Sequence, residues 1–77
     1  MFRCAAVSAF KHTYMATAAH AHPRFEVVVV TDDADVPEWL SARNADLAAA
    51  LEVPYVRGVE QALEQHAIDV AIIGSEV

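Results

Sequence analysis

The feature that most constrains the fold of this chain is a run of four valines, Val27–Val30, that ends on Thr31 and Asp32. Consecutive β-branched residues favour a strand buried on both faces, as in a parallel sheet covered by helices on each side. The run is far shorter than the ~20 apolar residues that cross a bilayer. The sequence therefore predicts a central parallel strand that stops on a carboxylate.

Length and charge limit the kinds of partner. The chain has 77 residues, an apolar fraction of 56% and a net charge of −6. A chain of this size buries only ~60% of its unfolded surface, so it forms one small domain of modest stability. No cluster of Lys and Arg is present, which argues against nucleic acid, because phosphate neutralisation needs grouped cations. No membrane partner is expected either, and a small molecule or a protein remains.

The amino-terminal segment is interpreted as a strand rather than as a signal peptide. Its apolar run is short, and an acid-rich segment follows further along the chain. We therefore expect a cytoplasmic protein. Cys4 is the only cysteine, which rules out a disulfide within the chain, and its strand position is typical of a small buried apolar residue.

Strand-length apolar runs alternate with stretches of helical period, which is the pattern of βαβ units. The first helix is expected to end at Pro23, the second to run to about Leu51, and the third to open at Gly58 and continue to about Ala67. The four predicted strands are Phe2–Val7, Phe25–Thr31, Val53–Val56 and Asp69–Ile73. Pro54 indicates an edge position for the third strand.

Right-handed crossovers applied to this order give an α/β fold, a partial Rossmann-like parallel sheet of order 3-2-1-4 with three helices. Helices one and two would cover one face, and helix three the other. Strand four would be an unpaired apolar edge, a site of self-association. We therefore expect residues 1–77 to form part of a dinucleotide-binding domain, with no substrate domain in the sequence.

The second helix is predicted to be amphipathic and to begin with a capping box. Asp35 and Glu38 have the spacing in which two side chains satisfy the first free amides of a helix. The expected apolar side comprises Leu40, Leu47, Ala48 and Leu51, and the expected water-facing side Glu38, Arg43, Asn44 and Asp46.

Polar residues at the carboxyl ends of the strands form a candidate nucleotide site. Asp32 follows Ser8 at close to the ~20-residue separation between a phosphate loop and an acid that binds ribose hydroxyls. Free amides at the start of helix one suit a pyrophosphate. Ser75 follows strand four, where ligands bind in such sheets. The loop residues assigned to the cofactor are Ser8, Ala9, Phe10, Lys11 and His12.

Four segments in the correct order resemble the nicotinamide-binding domain of the glucose–fructose oxidoreductase / inositol dehydrogenase family. They are residues 22–32, 43–55, 59–63 and 68–75. The resemblance implies a dinucleotide cofactor, with Asp32 as its ribose-binding acid and hydride transfer to or from a sugar or cyclitol. NAD is favoured over NADP, because no Arg directly follows Asp32 to receive a 2′-phosphate.

The chain also departs from the family pattern. The family's glycine-rich turn is replaced here by Val7–Met15, Glu52 stands at a common glycine position, and Glu76 replaces a proline. The Glu-Lys-Pro motif, whose lysine serves catalysis in the family, is absent, so no catalytic residue is assigned. We therefore do not expect this chain to catalyse the reaction by itself.

A zinc site is disfavoured, because the side chains of His20 and His22 point in different directions on a helix and His12 lies in the loop. His66, Trp39 and Met15 are interpreted as packing residues. The competing hypothesis for the whole chain is a stand-alone, non-catalytic half-Rossmann module for nucleotide or protein binding. A third is a family member that has lost the cofactor and kept a structural role.

Overall fold

The computed structural model describes residues 1–8 and 13–74. Four parallel strands form one sheet of order β3-β2-β1-β4, and three helices connect them. The predicted α/β architecture and strand order are therefore confirmed. The elements are β1 (Phe2–Val7), α1 (Thr13–Ala21), β2 (Phe25–Asp32), α2 (Glu38–Leu51), β3 (Tyr55–Arg57), α3 (Val59–Gln65) and β4 (Val70–Ile73).

The sheet separates two apolar cores. The larger one packs α1 and α2 against one face and includes Cys4, Ala6, Val27 and Val30 from the strands. The smaller one packs Ala62 of α3 against the other face. The predicted distribution of helices is thus confirmed, as is the burial of Cys4, whose side chain has no exposed surface. Burial raises the pKa of the Cys4 thiol, so the thiol stays neutral.

The start of α2 differs from the prediction. The residue before the helix is Pro37, whose backbone is extended and whose side chain makes no capping hydrogen bond. The predicted capping box of Asp35 and Glu38 is therefore wrong. The carboxylate of Glu38 instead accepts a hydrogen bond from Arg57 Nη1 at 2.9 Å, so it does not reach back to a helix amide.

The third strand begins two residues later than predicted. The C-cap of α2, Glu52, adopts a left-handed conformation with φ 59°, and the next amide, Val53 N, donates to Ala48 O at 3.0 Å. The Val53 amide therefore belongs to the C-terminal cap of α2, and the strand begins after it. The edge position inferred from Pro54 is confirmed, since β3 pairs with β2 alone in the described sheet. Helix α3 is also shorter than predicted, because His66 is already extended.

A bulge in β2 sets which way the end of that strand faces. Cys4 pairs with Val27, but the next residue of β1 pairs with Val29, so Val28 is additional. Val28 and Val29 both pack into the smaller core, whereas Val27 and Val30 belong to the larger core. Because side chains alternate across a strand, the extra residue brings Asp32 onto the face covered by α2.

The outer edge of β4 has no strand neighbour within the described residues. Ala71 and Ile73 lie on the face covered further along by α3, and both are exposed. On the opposite face, between α1 and β4, there is an apolar cavity of about 290 Å³ lined by Ala18, Ala19, His22, Phe25, Val70 and Ile72. Strand β4 is therefore less covered than a continuous apolar run would indicate.

Candidate functional site

Three strands end together at the carboxyl edge of the sheet. Ser8 N donates to Thr31 O at 2.8 Å, which joins the end of β1 to the end of β2. Gly74 N donates to Val7 O at 3.0 Å, which joins β4 to β1. The order 3-2-1-4 therefore creates a junction at β1, from which the chain crosses to both sides, and such junctions are where ligands bind in open parallel sheets.

Ser8 has a backbone conformation that glycine normally occupies. Its φ of 51° lies in the left-handed region, which is uncommon for a residue with a side chain. Ser8 is also the first of the loop residues predicted to contact the cofactor. The local conformation that glycine would favour is therefore present, although the glycine is not.

Asp32, at the end of β2, has no exposed surface. Its carboxylate accepts a hydrogen bond from Asn44 Nδ2, with 3.1 Å to Oδ2. The Tyr55 hydroxyl lies 2.9 Å from Oδ1 and 2.8 Å from Oδ2, and so bridges the two oxygens. Both donors are neutral. At these contacts the negative charge of Asp32 is therefore stabilised by hydrogen bonds from an amide and a phenol, and not by pairing with a cation.

The Tyr55 phenol is held in its neutral form. Burial raises its pKa above the ordinary value, the neighbouring Ser41 hydroxyl acts in the opposite sense, and the Asp32 carboxylate raises the pKa further. A neutral phenol is what the geometry requires, because only the protonated oxygen donates to the carboxylate. The Tyr55 proton is therefore shared between the two oxygens of Asp32.

Two buried polar atoms of α2, one on the residue that donates to Asp32 and one on a residue that faces Tyr55, lack a hydrogen-bond partner in the part of the chain that the structure describes. They are Asn44 Oδ1 and Ser41 Oγ, and both are buried. Ser41 faces the Tyr55 phenol without meeting the geometry of a hydrogen bond. The unpartnered acceptor on Asn44 and the hydroxyl beside Tyr55 could each bind a hydroxyl group.

Arg57 fixes the loop that follows Asp32. Its guanidinium donates to Ala34 O at 3.2 Å, to Val36 O at 2.7 Å and to Glu38 Oε1 at 2.9 Å. Gly58 N also donates to Asp32 O at 2.9 Å. Arg57 of β3 thus binds the loop after Asp32 through two carbonyls and the start of α2 through Glu38.

The structure brings together some of the residues predicted from the sequence. Asp32 lies at the carboxyl end of β2 and Ser8 at the end of β1, as expected. The remaining predicted contacts, Ala9, Phe10, Lys11, His12 and Ser75, lie outside the described residues, as does Glu76. His20 and His22 are exposed on α1 and at its end. Within residues 1–8 and 13–74, no group of three or more metal-binding side chains is present.

The environment of Asp32 includes residues that the sequence interpretation missed. Asn44 was assigned to the water-facing side of α2 and is fully buried instead, so that assignment is wrong. A signal existed, because Asn44 lies four residues after Leu40 and four before Ala48, both on the predicted apolar side. Tyr55 and Arg57 reach the site from β3, whose place beside β2 is predicted, but whose register against β2 no local pattern indicates.

The polar groups around Asp32 include acceptors of the kind that a hydroxylated ligand binds. A vicinal diol needs a carboxylate that can accept two hydrogen bonds and a neighbouring acceptor or hydroxyl. Asp32 and the neighbouring Asn44 Oδ1 are acceptors of this kind, and the Tyr55 phenol contacts both oxygens of the carboxylate. Comparison of the chain with protein-family models, with curated proteins and with solved structures gave no match. Among the described residues, no helix is both long and apolar enough to cross a membrane.

Proposed function

We propose that this chain binds the adenosine half of a nicotinamide dinucleotide, as the amino-terminal part of the cofactor domain of an oxidoreductase acting on a sugar, cyclitol or related hydroxyl compound. The resemblance to the glucose–fructose oxidoreductase / inositol dehydrogenase family supplies the reaction class. NAD is preferred to NADP, and a cytoplasmic location belongs to the same proposal. The cofactor would supply the hydride chemistry, and the chain its binding and orientation.

The single observation that carries this proposal is the position of Asp32. A carboxylate closes β2 beside the junction where β1, β2 and β4 end, and the backbone at Ser8 has the positive φ of a glycine turn. Asp32 contacts Asn44 of α2, whose side-chain oxygen is buried and unpartnered within the described residues. An acid with these neighbours suits a ribose diol, and the sheet junction suits the pyrophosphate beside it.

The test is calorimetry of NAD binding to the wild-type chain and to Asp32→Asn and Asp32→Ala variants. Loss of the charged acceptor is expected to weaken binding by about 1–3 kcal/mol. Asp33→Ala is the matched control, because Asp33 is the next residue, carries the same charge and is exposed. Equal NAD affinity for Asp32→Asn and the wild type, with both folded by circular dichroism, would refute the ribose role.

A second candidate function is a non-catalytic half-Rossmann module that associates through β4. The observation that favours it is the open edge, where Ile73 is 62% exposed and β4 has no outer neighbour in the described sheet. A second strand can add to such an edge by backbone hydrogen bonds. Failure of the chain to bind NAD, together with concentration-dependent dimerisation, would favour this module.

A further inference from the structure

The Tyr55 hydroxyl occupies the position on Asp32 that a vicinal diol would take. Its distances to the two carboxylate oxygens, 2.9 and 2.8 Å, are nearly equal, so it sits astride the carboxylate. A phenol has one proton to share between these oxygens, whereas a ribose diol has two. A diol at this position would therefore give each oxygen its own hydrogen bond.

The two donors to Asp32 differ in how firmly the chain holds them. Asn44 lies in the middle of α2, which has 14 residues, and is fully buried. Tyr55 is half-buried and opens β3, a three-residue strand. β3 has a strand neighbour on one side only in the described sheet and Tyr55 is partly exposed, so its side chain has a route to solvent that the buried Asn44 lacks.

Two polar groups near the phenol could bind the oxygens of a hydroxyl ligand once the phenol has moved. The Ser41 hydroxyl, which now faces Tyr55, is buried and unpartnered within the described chain, and so is Asn44 Oδ1. Asn44 Nδ2 would still donate to the carboxylate and keep it oriented. Displacement of Tyr55 thus exchanges one shared hydrogen bond for several separate ones.

We infer that Tyr55 is an internal competitor for the ribose site, whose hydroxyl covers Asp32 in the free protein and is displaced by the 2′,3′-diol of the ligand. This inference rests on the proposed function. It makes Tyr55 a specificity-determining residue, because a ligand without both hydroxyls gains too little from the carboxylate to displace the phenol. The apparent affinity for the ligand is the intrinsic affinity multiplied by the fraction of the protein in which the phenol does not cover Asp32.

The experiment measures dissociation constants of adenosine 5′-monophosphate and of its 2′,3′-dideoxy analogue for the wild-type chain and Tyr55→Phe. The phenylalanine variant keeps the ring and removes the competing proton. Tyr55→Phe is expected to bind the ribonucleotide about tenfold more tightly, which corresponds to one hydrogen bond to a charged group. The dideoxy analogue is expected to bind both proteins equally weakly.

A direct measurement on the wild-type protein accompanies the binding assay and does not depend on the affinity of the variant. In wild-type protein with ¹³C-labelled tyrosine, saturation with the ribonucleotide is expected to shift the ring signal of Tyr55, and the dideoxy analogue is expected to leave it unchanged. Tyr55→Phe supplies the assignment of that signal. This spectrum responds to loss of the phenol–carboxylate contact rather than to stability.

The possible failures can be told apart. If the wild type prefers the diol but Tyr55→Phe binds no more tightly and the ring signal does not move, the competitor role is refuted and the proposed function survives. If neither protein binds the ribonucleotide, both proposals fail. If Tyr55→Phe improves binding of the dideoxy analogue equally, Tyr55 acts by shape alone and the inference is overturned.

Discussion

The two edges of the sheet are built in opposite ways. At the β3 edge, Asp32 accepts hydrogen bonds from α2 and from β3, and Arg57 ties the following loop to the same strand. At the β4 edge, the strand is apolar, an apolar cavity lies between it and α1, and Ile73 is largely exposed. Both β3 and β4 have one strand neighbour in the described sheet, but polar side chains tie β3 to β2 and α2, so we call it the closed edge, whereas the open edge at β4 offers mainly apolar surface.

The difference between the two edges suits them to different kinds of interaction, one within the fold and one with another chain. A buried carboxylate with oriented donors specifies one arrangement of the surrounding strands, because any partner that is removed leaves a charge without compensation. An apolar edge specifies no single neighbour and accepts any strand or helix that covers it. We therefore expect folding specificity to be concentrated at the β3 edge and association at the β4 edge.

The largest expected effect is at the closed edge. Asn44→Ala removes a donor to a fully buried carboxylate, and we expect it to lower the free energy of unfolding by about 2 kcal/mol. For a domain of this size, this corresponds to a fall in Tm of roughly 8–16 °C. Thermal and urea denaturation followed by circular dichroism measure the change.

The matched control for Asn44→Ala is Arg43→Ala, which changes the preceding, exposed residue of the same helix. Its effect is expected to stay within about 0.5 kcal/mol, as for most surface substitutions. Similar losses in the two variants would contradict the special role of the Asn44–Asp32 hydrogen bond.

An intermediate effect is expected at the open edge. Ile73→Lys places a charge on β4, and we expect it to weaken self-association about tenfold, because a charge at a strand edge opposes pairing with another chain. Sedimentation equilibrium measures the association constant. Leu63→Lys is the control, since Leu63 is also exposed but lies on α3, which packs on β2 and β3. A wild-type chain that is monomeric at all concentrations would contradict the predicted association.

The smallest effect is a pH dependence at the closed edge. The pKa of Tyr55 is raised in the folded chain, first by burial and then, against the effect of Ser41, by the Asp32 carboxylate. Its contribution to stability is therefore fully present below the unfolded pKa of about 10, and is lost as the pH rises through the folded pKa.

Ultraviolet difference absorbance measures this titration. The chain contains two tyrosines, so the curve of Tyr55→Phe is subtracted from that of the wild type to isolate Tyr55. The isolated curve is expected to have its midpoint above about 10 in the folded protein and to return to the ordinary value in urea. A midpoint at the ordinary value in both states would mean that the phenol does not interact with the carboxylate in solution.

Much of the fold follows from local pattern. Apolar runs of strand length alternate with helical periods, and right-handed crossovers then leave one sheet order, which the structure has. The predictions were wrong for residues whose side chains bind a partner that is distant in sequence. Glu38 was assigned to a helix cap and is bound by Arg57, and Asn44 was assigned to the surface and is buried against Asp32.

The sequence by itself determined that a buried strand ends on an acid, but not which face that acid occupies. The four consecutive valines have no polar alternation, so they give no sign that one residue is additional. The pairing of β1 with β2 places the bulge at Val28 and thereby turns Asp32 toward Asn44 and Tyr55. Only the tertiary structure decided this, because the position of a bulge depends on the register of a neighbouring strand that is distant in sequence.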